Sequence, residues 1–170
     1  MQTALTVWVA SDSERIAHIY SYDSTAFIVA LERINPRVLE WIINAATLEA
    51  ATSAADVWFG SEREPASWSV YQADAWLSLV ASPVGHLLGT IERTPPTRYG
   101  VDGLAAGQSA AILREGQYWR VEMIPAVDLP ASNVPAFERP EHALLFLEAL
   151  RRLPAARRGN RDDSTPWKSS

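Results

Sequence analysis

Residues 110–124, which read AAILREGQYWRVEMI, are the stretch of sequence that most directly decides the fold class. Two short runs, 110–113 and 118–124, flank a four-residue connection in which Gly116 can adopt the left-handed conformation of a tight hairpin turn. The second run alternates, with apolar Trp119, Val121 and Met123 on one side and charged Arg120 and Glu122 on the other. This alternation predicts an antiparallel hairpin with one covered face and one solvated face.

Further strands are predicted on the N-terminal side of this hairpin. Leu5, Val7 and Val9 alternate with polar or aromatic neighbours, and short aromatic-rich runs follow at residues 57–59, 68–71 and 75–80. Residues 15–22 permit two interpretations. Ser11 to Glu14 fits a capping box that starts a short helix, whereas alternation makes the same segment a strand with His18, Tyr20 and Tyr22 on one face. A further segment, helix or strand, follows as far as residue 34.

Two helices are predicted from proline positions. Asn35-Pro36 has the form of an N-cap followed by a first-turn proline, and helical spacing of apolar residues then predicts a helix over residues 35–51. Pro140 opens a second helix over residues 140–153 with a buried stripe, made of Ala143, Leu147, Leu150 and Leu153. Between them, the prolines and glycines of residues 92–108 predict a long loop.

Strands and helices without regular β-α-β alternation predict an α+β fold, mainly an antiparallel sheet packed by two or three helices. The length of 170 residues fits one domain, which we place at residues 1–156. Residues 157–170 are polar, basic and without periodicity, which predicts a disordered tail.

The charge distribution argues against nucleic acid as a partner. The chain carries 15 basic and 20 acidic side chains, a formal net charge of −5. Residues 151–170 hold six basic and two acidic side chains, so the first 150 residues carry a net charge of −9. An acidic body repels a nucleic-acid backbone. Arginine outnumbers lysine 14 to one, a bias typical of GC-rich bacterial or phage genomes.

Several classes of protein and site are disfavoured by composition. No cysteine is present, which excludes disulfides and thiolate metal ligands. No apolar run approaches the roughly 20 residues of a membrane helix, and the N-terminus lacks the features of a secretion signal, so we expect a cytoplasmic protein without membrane contact. Three histidines at positions 18, 86 and 142 do not have ligand spacing, and we expect no metal or cofactor site.

The leading functional hypothesis is a small acidic accessory protein that binds another protein, in the manner of immunity proteins and inhibitors of bacterial or phage origin. Tryptophan is enriched at the energetic centres of interfaces, and carboxylates steer association with basic partners. The candidate binding residues are Trp8, Trp68, Glu62, Glu64, His18, Tyr20 and Tyr22.

The alternative hypothesis is a small-molecule-binding protein or a hydrolase-type enzyme. Its pocket would lie near His18 and His86, with residues 92–108 as a lid. A half-buried aromatic face is the simpler interpretation of the His18, Tyr20 and Tyr22 pattern. No motif assigns a catalytic residue.

Overall fold

The strands predicted from alternating side chains belong to two antiparallel sheets. The computed structural model of the protein describes residues 4–60, 66–81, 97–105, 107–124 and 136–152. Nine strands and two helices follow one another along these residues: β1 (Ala4–Ser11), β2 (Arg15–Ser21), β3 (Phe27–Arg33), β4 (Val38–Ala45), α1 (Leu48–Phe59), β5 (Ser69–Asp74), β6 (Ser78–Ala81), β7 (Arg98–Asp102), β8 (Ser109–Glu115), β9 (Tyr118–Ile124) and α2 (Pro140–Arg151). The predicted α+β class is confirmed.

The first sheet has five strands in the order β4-β3-β2-β1-β5, and every pair is antiparallel. The two interpretations of residues 15–22 are therefore decided in favour of a strand, and β3 follows it. The predicted capping box is instead a turn, because the Asp12 carboxylate accepts hydrogen bonds from the backbone N–H groups of Glu14 and Arg15 at 2.8 Å each. Asp forms such turns through its side chain, and the pairing of β1 with β2 selected the turn here.

The predicted helix over residues 35–51 is wrong. Asn35-Pro36 lies in the turn between β3 and β4, and the apolar residues after it form β4, where Ile42 pairs with Ala30 and Trp41 with Leu31. Asn and Pro are turn formers as well as helix starters, and pairing with β3 selected the turn.

Helix α1 begins later than predicted, after Thr47, whose side chain accepts a hydrogen bond from the N–H of Ala50. It continues to Phe59, so the strand predicted at residues 57–59 is the last turn of this helix. Aromatic residues favour strands only weakly, and here they pack against the sheet from a helix.

The second sheet has four strands in the order β6-β7-β8-β9, and the predicted hairpin forms the β8–β9 end of it. Gly116 has φ +66° in the turn, and Trp119 is buried while Glu122 is exposed, as the alternation predicts. The loop predicted over residues 92–108 is wrong for Arg98–Asp102, which form β7. Hydrogen bonding to strands on both sides outweighs the weak local preference of Gly100.

Helix α2 lies between the two sheets. It contacts β2 and β3 on one side and β6, β8 and β9 on the other. All eight of its residues from Ala143 to Leu150 are buried, so the single buried stripe predicted for this helix was too narrow. Helix α1 covers the opposite face of the first sheet. The order of layers is thus α1, five-stranded sheet, α2 and four-stranded sheet. Each fully buried leucine of α2 contributes about 2 kcal/mol to the free energy of folding.

Candidate functional site

The chain crosses from the first sheet to the second between β5 and β6, and a buried carboxylate of α2 holds this crossing in place. Glu148 accepts hydrogen bonds from the backbone N–H groups of Trp76 and Leu77 at 3.0–3.1 Å, and Arg152 donates to it from Nε at 3.0 Å. The Tyr22 hydroxyl donates to the same carboxylate at 3.4 Å. A charge buried among apolar neighbours is stable only with partners of this kind.

Arg152 extends the network to the surface. Its guanidinium lies 4.1 Å from the centre of the Trp76 ring and donates to the backbone carbonyl of Asp74 at 2.7 Å. Sequence reasoning missed Glu148, although a glutamate within an otherwise apolar helical run was a usable sign of a buried polar contact.

A cleft of about 550 Å³ opens beside this network, where the start of α2 meets β6 and the turn between β2 and β3. The polar residues that line it are Tyr22, Asp23, Ser78 and Glu141. Its apolar lining consists of three leucines, Leu77, Leu79 and Leu144. This volume lies within the range of small-molecule sites.

The rim of the cleft is an ordered polar cluster. Asp23 accepts hydrogen bonds from the Thr25 N–H at 3.0 Å and the Thr25 hydroxyl at 2.7 Å, and it pairs with Arg139 at 3.3 Å. The same arginine pairs with Glu141 at 3.5 Å. The Thr25 hydroxyl gives its one hydrogen to Asp23, so the 3.2 Å contact with His142 is donated by Nε2 of the imidazole.

The rim groups have shifted pKa values. Burial alone would raise the pKa of Asp23, but the hydrogen bonds from Thr25 and the charge of Arg139 outweigh it and lower the pKa below its ordinary value. Burial, followed by the charge of Arg139, lowers the pKa of His142. Burial and the neighbouring Glu148 raise the pKa of Tyr22. At neutral pH the cleft therefore presents an ionised aspartate and a protonated phenol.

Replacing Asp23 by asparagine is expected to weaken the acid dependence of folding. A lowered pKa means that the ionised form stabilises the native state, fully at pH values well above the unfolded pKa of about 3.9. That contribution is lost as pH falls through the lowered native pKa. Asp23→Asn should lower the free energy of unfolding by about 1 kcal/mol at pH 7. Between pH 5 and 2 the variant should lose less of this free energy than the parent chain does. Urea unfolding across this range measures both effects.

The matched control for this experiment is Asp102→Asn, at an exposed position on β7. Between pH 5 and 2 this variant should lose as much stability as the parent chain does. A parallel curve for Asp23→Asn would show that the turn does not depend on this carboxylate.

A second candidate surface is the outer edge of the first sheet, at β5. Among the described strands only β1 pairs with β5, and five of its six residues are exposed. Val70 is 58% exposed and Tyr71 is 47% exposed, on opposite faces of the strand. The predicted binding residues Trp8 and Trp68 are half-buried and pack on the α1 side of the sheet, where Val70 pairs with Trp8.

The remaining predicted residues are dispersed. His18 stacks on Tyr20 with ring centres 5.8 Å apart, and Tyr20 is buried in the core between the sheets. Tyr22 lies beyond the end of β2 and lines the cleft, whereas His18 does not. Glu62, Glu64 and His86 fall outside the described residues, as does the predicted tail at 157–170.

Among the residues that the structure describes, no group of three or more histidine, aspartate or glutamate side chains is placed to hold a metal ion. Neither described helix is long and apolar enough to cross a membrane. Comparisons with protein-family models, curated proteins and solved structures found no match.

Proposed function

We propose that the protein binds another protein by accepting one of its strands at the β5 edge, as a small acidic accessory protein of the immunity or inhibitor type. The observation that carries the proposal is the exposure of β5, a six-residue strand at the edge of a five-stranded sheet. An edge strand presents backbone N–H and C=O groups to solvent, and partner proteins use such groups to add a strand of their own.

The other sheet edges carry features that oppose strand addition. β6 has only four residues, and β4 contains an irregularity that inserts the charged Glu40 into its pairing with β3. The outer side of β9 is occupied in part by Phe137, which exchanges two backbone hydrogen bonds with Trp119 at 2.7 and 2.9 Å. Short strands, bulges and covered edges are the usual protections against pairing. Within the part of the chain that the structure describes, β5 has none of these three.

The side chains of β5 add affinity to the backbone contacts. Val70 extends the half-buried aromatic surface of Trp8 and Trp68 on one face, and Tyr71 stands exposed on the other face. A strand added at this edge would cover both faces at once. Tryptophan and tyrosine anchors are typical of the energetic centre of an interface.

The expected partner surface is basic. The net charge of −9 over the first 150 residues attracts a cationic partner and accelerates its encounter in a salt-dependent way. Immunity proteins and inhibitors that block basic clefts have this character, and a bacterial or phage origin fits the arginine bias.

The test is affinity capture from a lysate of the native host with the tagged full chain, followed by mass spectrometry. The parent chain should capture one stoichiometric protein, and the double variant Val70→Lys with Tyr71→Lys should lose it. Charged residues on an edge strand oppose pairing, and both positions are exposed enough to leave folding intact. A loss of at least tenfold in affinity, about 1.4 kcal/mol, is expected in a binding titration with the purified partner.

The control variant is Val57→Lys, because Val57 is 73% exposed on α1, away from the strand edge. It should bind as the parent chain does. Hydrogen exchange at the β5 amides should slow in the complex. Equal binding by the double variant, or unchanged exchange at β5 with partner bound, would refute strand addition at this edge.

A further inference from the structure

The cleft at the start of α2 is chemically independent of the β5 edge, since none of its lining residues belongs to that strand. Its wall combines three leucines with two hydroxyls and two carboxylates, and it includes no arginine, lysine or histidine among the described residues. Apolar surface beside negative charge matches a ligand that has a hydrocarbon body and a cationic end.

We propose that this cleft binds an alkylammonium group, with the hydrocarbon part against Leu79 and Leu144 and the ammonium between Asp23 and Glu141. The two carboxylates share one cation, Arg139, which contacts them from outside the cleft lining. One formal negative charge therefore remains for a ligand. Each ionised carboxylate has about four acceptor positions, so the contacts to Arg139 and Thr25 leave positions on both groups for an ammonium.

Arg139 and Thr25 orient the site before any ligand arrives. The aspartate is held by three hydrogen-bonding contacts, two from Thr25 and one from Arg139. A prearranged charged acceptor loses less conformational entropy on binding than a mobile one. The Tyr22 hydroxyl donates its hydrogen to Glu148 at 3.4 Å, so towards a ligand its oxygen can act only as an acceptor.

Other ligand classes fit the cleft less well. An anion would meet two carboxylates, and like charges at short range repel. A metal ion needs at least three protein ligands in most sites, and the described residues supply no such group here. A neutral hydrocarbon would cover the carboxylates without replacing their lost hydration.

The probe for this site is cyclohexylammonium, compared at constant ionic strength with cyclohexanol and cyclohexanecarboxylate. Leucine methyl resonances of the full chain report binding in the cleft directly. Cyclohexylammonium should give saturable shifts with a Kd on the order of 1 mM, as expected for a ligand of this size. Cyclohexanol should bind at least about fivefold more weakly and the carboxylate more weakly still, because only the ammonium pairs with the rim.

Two variants test the assignment to the cleft. Glu141→Gln removes one carboxylate at an exposed position and should weaken cyclohexylammonium binding about fivefold, roughly 1 kcal/mol. Ser78→Phe fills the cleft without changing its charge and should abolish the shifts. Glu138→Gln, an exposed position outside the lining, is the matched control and should leave the Kd unchanged.

The source of the ammonium group is decided by a second probe, the lysine analogue Nα-acetyl-lysine N-methylamide. Tighter binding of this analogue than of cyclohexylammonium would identify the ligand as a lysine side chain, and the reverse order would identify it as a free amine. Equal binding of all three cyclohexyl probes, no saturable shift, or an unchanged Kd in Glu141→Gln would overturn the proposal. None of these results depends on strand addition at β5.

Discussion

Glu148→Leu is expected to lower the free energy of unfolding by about 4 kcal/mol. The substitution leaves the backbone N–H groups of Trp76 and Leu77 without their acceptor and removes the anionic partner of Arg152. Domains of this size are stable by only about 5–15 kcal/mol, so the loss is a large share of the total. Urea unfolding, followed by tryptophan fluorescence, measures it as a lower midpoint.

The charge and the hydrogen bonds of Glu148 are separated by a second variant. Glu148→Gln keeps the shape and one acceptor oxygen, and it should cost about 2 kcal/mol. Glu138→Gln changes an exposed glutamate two residues before α2 and should stay within about 0.5 kcal/mol of the parent chain. If Glu148→Leu were no worse than Glu138→Gln, the crossing between the sheets would not depend on the buried carboxylate.

Gly103→Ala is expected to cost about 3 kcal/mol or more, and Gly107→Ala only about 1 kcal/mol. Both glycines have positive φ, +106° and +81°, so an alanine is strained at either position. They differ in the space available to the added methyl group. A Cβ on Gly103 would lie 2.4 Å from the backbone oxygen of Trp76, whereas no described residue comes within 4 Å of one on Gly107.

The difference between the two glycine variants reports mainly the packing of the crossing, because both positions carry backbone strain at positive φ. Thermal and urea unfolding of the two proteins give this difference directly. A carbonyl oxygen cannot move aside as a flexible side chain can, so relief requires a shift of the segment that Glu148 also holds. Similar costs for the two variants would show that this segment yields easily.

The hairpin at residues 110–124 was predictable because its information is local. Gly116 supplies the turn, and alternation from Trp119 to Met123 defines the two faces without reference to any other segment. Helix α2 was predictable for the same reason, since Pro140 marks its first turn and apolar spacing sustains it. Both predictions are confirmed because the local preferences of these residues agree with the structure that they adopt in the whole fold.

The predictions of secondary structure were wrong in segments whose residues favour two different local structures. Asn35-Pro36 serves equally as a helix start or a turn, and only the pairing of β4 with β3 selects the turn. Residues 98–102 contain a glycine and lie between Pro96 and Gly103, yet two flanking strands make them β7. Strand formation depends on partners that are distant in sequence, and no local window contains them.

The candidate sites also differ in whether one segment of the sequence or several distant segments form them. Trp8 and Trp68 were singled out from the sequence, and the structure places both beside the exposed β5 edge. The cleft was not foreseen, because its carboxylates come from the β2–β3 turn and from α2, which are more than 100 residues apart. Their proximity exists only after α2 is inserted between the sheets.

The sequence by itself determined the α+β class, the hairpin, the final helix and the acidic charge of the first 150 residues. These properties depend on residue type and on spacing within one segment. The tertiary structure alone decided which strand remains at an edge, where the chain crosses between sheets, and why a glutamate is buried in α2. Those properties are set by burial and by hydrogen-bond partners, and both depend on which distant segments come to lie side by side.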